Sequence, residues 1–156
     1  EYASNKENTR YTFPTNQSLE ETKNNIAQFY LANPLGRWGI ELKSTGEFIG
    51  TIDLHKMDTV LKKATIGYII HQKYWNQGLT TEANRAVIEL AFEKIGMNKL
   101  DALHDKDNPA SGKVMEKSGM RFSHEEPYAR MDKNEPGRFV TDVHYVLTKE
   151  DYFANK

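Results

Sequence analysis

The segment from residue 64 to residue 117 constrains this chain more than any other. Residues 64–70 read as a strand, and after a polar connection Leu79, Ala83, Ala86, Val87, Leu90 and Ala91 recur at the spacing of one helix face. Ile95-Gly96 supplies the stop signal. A second short strand follows at 100–104, and then Asn108-Pro109, a capping residue and a proline at the first helical position, opens a helix through Lys117 that Gly119 can end. Strand, helix, strand, helix in this order implies a crossover, and a crossover makes the two strands parallel.

The flanking segments add antiparallel structure. Ser18-Leu19-Glu20-Glu21 has the form of a capping box, and Ile26, Phe29 and Tyr30 supply an apolar stripe, so a helix is expected over 19–32 with its stop near Pro34 and Gly36. Residues 38–42 and 48–54 form two strands around Ser44-Thr45-Gly46, and with 64–70 they make a three-stranded meander. Strand alternation places Phe48, Ile52 and Leu54 on one face and Thr51, Asp53 and His55 on the other. Two closing strands, from Phe122 and over 139–147, flank a polar turn at 132–137, while residues 1–17 allow only turns or a short helix. The class is α+β: a three-layer arrangement with a mixed, mostly antiparallel twisted sheet and helices on both faces.

Composition narrows the functions. With 156 residues, 38% apolar and 28% charged, the chain fits a single globular domain over 1–156. Twenty-one Lys and Arg balance 22 Asp and Glu, which gives no overall reason to expect a nucleic-acid partner. The absence of cysteine removes disulfides and thiolate nucleophiles, and the five histidines lack metal-ligand spacing, so no metal is expected. Without a long apolar run or a signal-peptide core, no membrane association is expected and the cytoplasm is the default location. The sequence begins at Glu1 rather than Met, so residues upstream are expected in the natural protein.

Chemistry is expected where the strand at 64–70 turns into the long helix, through Lys73-Tyr74-Trp75-Asn76-Gln77-Gly78-Leu79-Thr80-Thr81-Glu82-Ala83. A helix N-terminus there directs free N–H groups at an anion, and Gly78 permits close approach. The lack of a Gly-Lys-Ser/Thr ending and of G-x-G-x-x-G argues against nucleoside triphosphates and dinucleotides. Spacing alone leaves two readings open, anion binding or an ordinary cap made by Thr80 or Thr81.

Two separated motifs resemble one family. Ile66-Gly67-Tyr68 through Tyr74-Trp75-Asn76-Gln77-Gly78-Leu79-Thr80-Thr81-Glu82-Ala83, and Asp107-Asn108-Pro109-Ala110-Ser111 through Met115-Glu116-Lys117-Ser118-Gly119-Met120, look like the GCN5-related N-acetyltransferase superfamily. The branch is that of the ribosomal-protein alanine and serine N-acetyltransferases. The resemblance implies the acyl-CoA N-acyltransferase fold, with a sheet split between central strands near residues 69–71 and a first strand upstream of this sequence. It also implies acetyl-CoA as cosubstrate.

In that family main-chain N–H groups surround the coenzyme A pyrophosphate, which by position are those of Gln77, Gly78, Leu79, Thr80 and Thr81. Trp75 occupies the usual Gln or Arg position, and Thr80 stands where Gly or Ala is commoner. Ile69, Ile70 and His71 correspond to the splayed strand end that pairs with the pantetheine amides. His71 is otherwise a surface or backbone-bonded histidine. Asn108 corresponds to a cofactor-arm residue, or it only caps its helix. Ser111 matches the serine that bonds to the departing thiolate, or it is a helix-surface hydroxyl. The superfamily's tyrosine acid falls at Met115, which has no proton to give, and this leaves Ser111 or water as the proton source. Lys113 and Lys117 either reach a 3'-phosphate or form a solvated face.

The implied reaction is direct attack of a neutral amine on the acetyl thioester. Asp53 and His55, on one strand face, are candidates for a base that acts through water; Asp142 and His144 form a second such pair. Tyr128, Arg130 and residues 132–138 match the region that lines the acceptor entrance. The acceptor reading is the N-terminal amine of a protein or peptide, with a small-molecule amine or a noncatalytic acyl-CoA-binding role as alternatives.

Overall fold

The expected Ser18 cap appears as a bond in the computed structural model, which describes residues 2–32 and 34–156. Ser18 accepts the Glu21 N–H at 3.0 Å and opens α2 (Leu19–Ile26), which continues as a wider π turn over Ala27–Leu31. The long helix divides likewise, into α3 (Leu79–Glu89) and a π segment (Leu90–Ile95) closed by left-handed Gly96. α4 (Pro109–Lys117) comes next, and short helices α1 (Lys6–Thr9) and α5 (Lys149–Ala154) lie near the two ends.

Six strands form one sheet: β1 (Arg37–Leu42), β2 (Glu47–Asp58), β3 (Lys63–Ile70), β4 (Lys99–Asp105), β5 (Arg121–Met131) and β6 (Phe139–Thr148). Their order is β1-β2-β3-β4-β6-β5, and only β3 and β4 are parallel. This is the mixed sheet with an antiparallel meander and one crossover that the element order implied.

One face assignment changes. The β1–β2 register runs Ile40↔Gly50 and then Glu41↔Phe48, so Ile49 is an extra residue, a β-bulge. The bulge inverts alternation behind it. Phe48 is 55% exposed beside Gly39, on the face of Thr51, whereas Ile49 is buried with Ile70 and Tyr74. Ile52 and Leu54 keep their inward face and belong to the main core.

That core lies between one face of the sheet and α3 and α4. Val87, Ile88 and Phe92 of the long helix and Met115 of α4 pack on Ile66 of β3 and Leu100 of β4, which joins the strands on both sides of the crossover. Helices cover the opposite face too: Tyr30, on the π turn after α2, donates its hydroxyl to Thr51 at 3.2 Å. No described helix is long and apolar enough to cross a membrane.

Residues 5–16 are ordered by side-chain amides rather than by a core. Asn5 caps α1, and Asn16 bonds to Thr22 and Asn25 of α2. Asn134, in the β5–β6 turn, donates to the carbonyls of Thr9 and Phe13 and accepts the Thr15 N–H. One amide therefore holds a loop more than a hundred residues away. Asn134→Ala is expected to destabilise the protein by about 1–3 kcal/mol, because it leaves part-buried backbone groups unpaired. Amide exchange should rise within residues 9–15 and remain slow in β4; uniform exchange changes would show that the clamp is not local.

Candidate active site

β3 and β4 pair only at Lys63↔Lys99, Ala64↔Leu100 and Thr65↔Asp101. β3 then runs on to Ile70 and β4 to Asp105, so the two strands part over their C-terminal halves. The split opens earlier than residues 69–71. Its wall follows from the β2–β3 ladder: the His71 N–H bonds to the Ile49 carbonyl at 2.7 Å, and alternation makes Thr51↔Ile69 and Asp53↔Gly67 the next hydrogen-bonded pairs. Tyr68 and Ile70 therefore turn their main-chain groups toward the split, while Ile69 and His71 turn theirs toward β2. Of the three residues expected at the splayed end, only Ile70 faces it; Tyr68 was missed, because backbone direction depends on ladder register.

The Ile70 carbonyl is already met from two sides. It accepts the Asn8 side-chain amide at 2.8 Å and the Trp75 indole N–H at 2.9 Å, and Asn8 also accepts the Gln72 N–H at 2.7 Å. His71 has the backbone-bonded role, its Nδ1 accepting the Lys73 N–H at 3.1 Å.

At the start of α3, Asn76 and Gly78 are both left-handed, with φ of 59° and 80°. Gly78 occupies the N-cap position and has no side chain to cap with; its carbonyl accepts the Glu82 N–H at 3.0 Å. Thr80 and Thr81 lie inside the first turn, so the reading in which they cap the helix does not hold. The first-turn N–H groups of Leu79, Thr80 and Thr81 have no intrahelical acceptor. Of these residues Thr81 lines a groove of about 610 Å³ whose lining also includes Gly78, Glu82, Arg85, Glu89 and Lys117. Lys117 is in that lining and Lys113 is not. Arg85, which the sequence reading overlooked, bonds to the Lys117 carbonyl at 3.1 and 2.5 Å and ties α3 to the end of α4.

Across the split, the Tyr68 hydroxyl donates to the Ser111 carbonyl at 2.9 Å and accepts the Ser111 hydroxyl at 3.2 Å. Burial pushes the Tyr68 phenol far above its ordinary range, so it remains a neutral donor. Ser111 is therefore no free surface hydroxyl. Asn108 stands at the N-cap of α4, but its side chain makes no capping bond. Met115 is buried in the core.

A family model described as an acetyltransferase (GNAT) domain matches residues 1–121. The uncharacterized N-acetyltransferase YoaA of Bacillus subtilis (strain 168) is 34% identical over 122 residues, 76% of this chain and 69% of that protein. The chain belongs to the GNAT acetyltransferase family. From the same organism, "Putative ribosomal N-acetyltransferase YdaF" is 34% identical over 120 residues, 76% of this chain and 64% of that protein. The crystal structure of a GNAT-family acetyltransferase from Bacillus anthracis matches with a TM-score of 0.83 at 25% identity, covering 96% of this chain and 86% of that one. This GNAT domain is thus an acetyl-CoA-dependent N-acetyltransferase with the acyl-CoA N-acyltransferase fold.

The split thus carries the main chain of Tyr68 and Ile70 turned away from β2, and the groove brings the start of α3 beside Arg85 and Lys117, with Glu82 and Glu89 also in its lining. On the opposite face of the sheet, Asp53 accepts from His55 Nδ1 at 2.9 Å, and both side chains are about one-third exposed. That bond fixes the tautomer and leaves Nε2 as the basic atom. The second pair is not a pair. Asp142 is buried against Arg130 at 3.1 Å, while His144 bonds to Glu126 at 3.1 Å and stacks on His124.

The β5–β6 turn, expected at the acceptor entrance, is tied into the fold. Arg138 pairs with Asp105, Asp107 and Asp132, and Lys133 donates to the Thr12 carbonyl. Burial, reinforced by Arg130, draws the Lys133 ammonium below the usual lysine range. Tyr128 projects into solvent, 80% exposed. Among the described residues no cluster of three or more His, Asp or Glu could hold a metal ion.

Gly78 allows the groove test to separate strain from obstruction. Either Gly78→Ala or Gly78→Val puts an L side chain at φ 80°, at a cost of roughly 1–2 kcal/mol, and an added Cβ meets no protein atom within 4 Å. Gly78→Val should lose more stability than Gly78→Ala, because its branched Cβ adds strain at positive φ, and should bind coenzyme A at least about tenfold more weakly than Gly78→Ala by calorimetry. Equal affinities would place the ligand elsewhere.

Proposed function

We propose that this acetyltransferase modifies the N-terminal amine of a protein or peptide, using Asp53–His55 as the base and Ser111 as the proton source for the leaving thiolate. The observation that carries the mechanism is the oriented Asp53–His55 pair, on the sheet face opposite the groove of α3 and α4. The likeness of both motifs to the ribosomal-protein branch, and the similarity to YdaF, which is named for ribosomal N-acetylation, support the acceptor.

In this reading acetyl-CoA supplies the acetyl thioester. The N–H groups of Gln77, Gly78, Leu79, Thr80 and Thr81 hold its pyrophosphate, with Arg85 and Lys117 beside them and Asn108 on the cofactor arm. Tyr68 and Ile70 present the strand backbone to the pantetheine. His55 Nε2 takes a proton from the incoming ammonium, directly or through one water, and Asp53 stabilises the imidazolium that results. The amine nitrogen then bonds to the acetyl carbon and the C–S bond breaks. Ser111 rotates its hydroxyl from Tyr68 toward the sulfur and gives it its proton, the second proton lost by the amine nitrogen passes through water to restore the Ser111 hydroxyl, and the proton on His55 returns to solvent.

Three variants test these roles separately. His55→Gln should lower the single-turnover rate by about 100-fold with acetyl-CoA affinity nearly unchanged. Ser111→Ala should slow acetyl transfer roughly 10- to 100-fold with acetyl-CoA affinity nearly unchanged, the mark of a bond made only in the transition state. Asn108→Ala should weaken cofactor binding without lowering the melting temperature, since its side chain caps nothing. For the acceptor, coenzyme A release is compared between alanine- or serine-initiated peptides and small amines. Higher kcat/KM for a small amine would refute the peptide reading.

A further inference from the structure

We infer that Gly67 is a positioning residue, whose missing side chain lets the Asp53–His55 pair rest over the wall of the split; this inference rests on the proposed base. Gly67 is opposite Asp53 in the β2–β3 register, and Thr65 is opposite His55, so the pair stands on β2 with its near neighbours on β3. A Cβ at residue 67 would lie 3.0 Å from Asp53 Oδ1 and 3.1 Å from His55 Cε1. Both distances are tighter than ordinary van der Waals contact. Any side chain at this position moves the carboxylate and the imidazole together.

The backbone gives glycine no other reason to be there. Gly67 is absent from the positive-φ positions, and its neighbours continue a regular ladder, so an alanine fits the strand conformation. Glycine inside a strand weakens it and marks a site of close approach. What approaches is the carboxylate–imidazole pair. The level in the sheet supplies the functional reason: β3 last pairs with β4 at Thr65, so Gly67 is on the stretch that borders the split. Strand alternation sends Tyr68, the next residue, to the α4 side, where it bonds to Ser111. Leaving residue 67 bare brings a base carried by β2 to the edge of an opening that β2 itself does not border.

The test is a double-mutant cycle of Gly67→Ala and His55→Gln, read by single-turnover acetyl transfer at saturating acetyl-CoA and acceptor, with acetyl-CoA affinity and melting temperature measured beside it. Gly67→Ala alone should slow transfer about tenfold, the order expected for a sub-ångström displacement of a catalytic group. Its melting temperature should be unchanged or higher, and its acetyl-CoA affinity unchanged. In the His55→Gln background, the same substitution should produce no further loss, because the group it displaces no longer acts. Equal slowing in both backgrounds overturns the inference in favour of a general distortion of β3, and a wild-type rate in Gly67→Ala overturns it outright. A wild-type rate in His55→Gln removes the base itself, and with it the role of Gly67, a failure distinct from one in which only Gly67→Ala is silent.

Discussion

Two parallel strands that stop pairing halfway leave main-chain groups which something else must satisfy, and most of this structure follows from that requirement. Beyond Thr65 and Asp101 the ladder between β3 and β4 ends, yet α3 and α4 still pack on strands from both sides. The core holds the halves together while the backbone lets them part. The Ile70 carbonyl shows the consequence. It is met by Trp75, in the loop that enters α3, and by Asn8, in the N-terminal segment, so one unpaired group on the split fixes both.

The period of a β-strand divides the chemistry between two faces. Gly67 and Tyr68 are adjacent on β3, and their Cα atoms direct one toward the Asp53–His55 pair and the other toward Ser111. The proposed mechanism uses this arrangement, with the cosubstrate on the side of α3 and α4 and the amine on the other. The pair on β2 keeps its order because Asp53 and His55 are two residues apart on one face, where their side chains meet at 2.9 Å.

Charge serves structure elsewhere. Arg138 is surrounded by Asp105, Asp107 and Asp132, of which Asp105 and Asp132 are buried, and such a buried arrangement is costly to break from one side. Burial alone would raise the Asp132 carboxyl, but the N–H groups of Asn134 and Glu135, with Arg138, hold it below the usual carboxylate range. The turn that carries these residues also carries Asn134, so it anchors residues 9–15 as well as closing β5 onto β6.

Sequence by itself determined the main elements and their order, though not the terminal helix α5. Helical spacing from Leu79, the Ser18 cap, the Ser44-Thr45-Gly46 turn and the single crossover are local or periodic signals, and each is present in the fold. Motif likeness also identified the GNAT family. Pairwise spacing placed Asp53 beside His55 but equally proposed Asp142 with His144, and only packing distinguished them, because Arg130 and Glu126 come from another strand. The bulge at Ile49 inverted a face that alternation alone had assigned to Phe48. Arg85, Asn8 and Tyr68 escaped notice since their partners, Lys117, Ile70 and Ser111, are 32, 62 and 43 residues away in the chain. Local order depends on neighbours in sequence, whereas the direction of a backbone group or the space above a glycine depends on strand register, which exists only once the chain has folded.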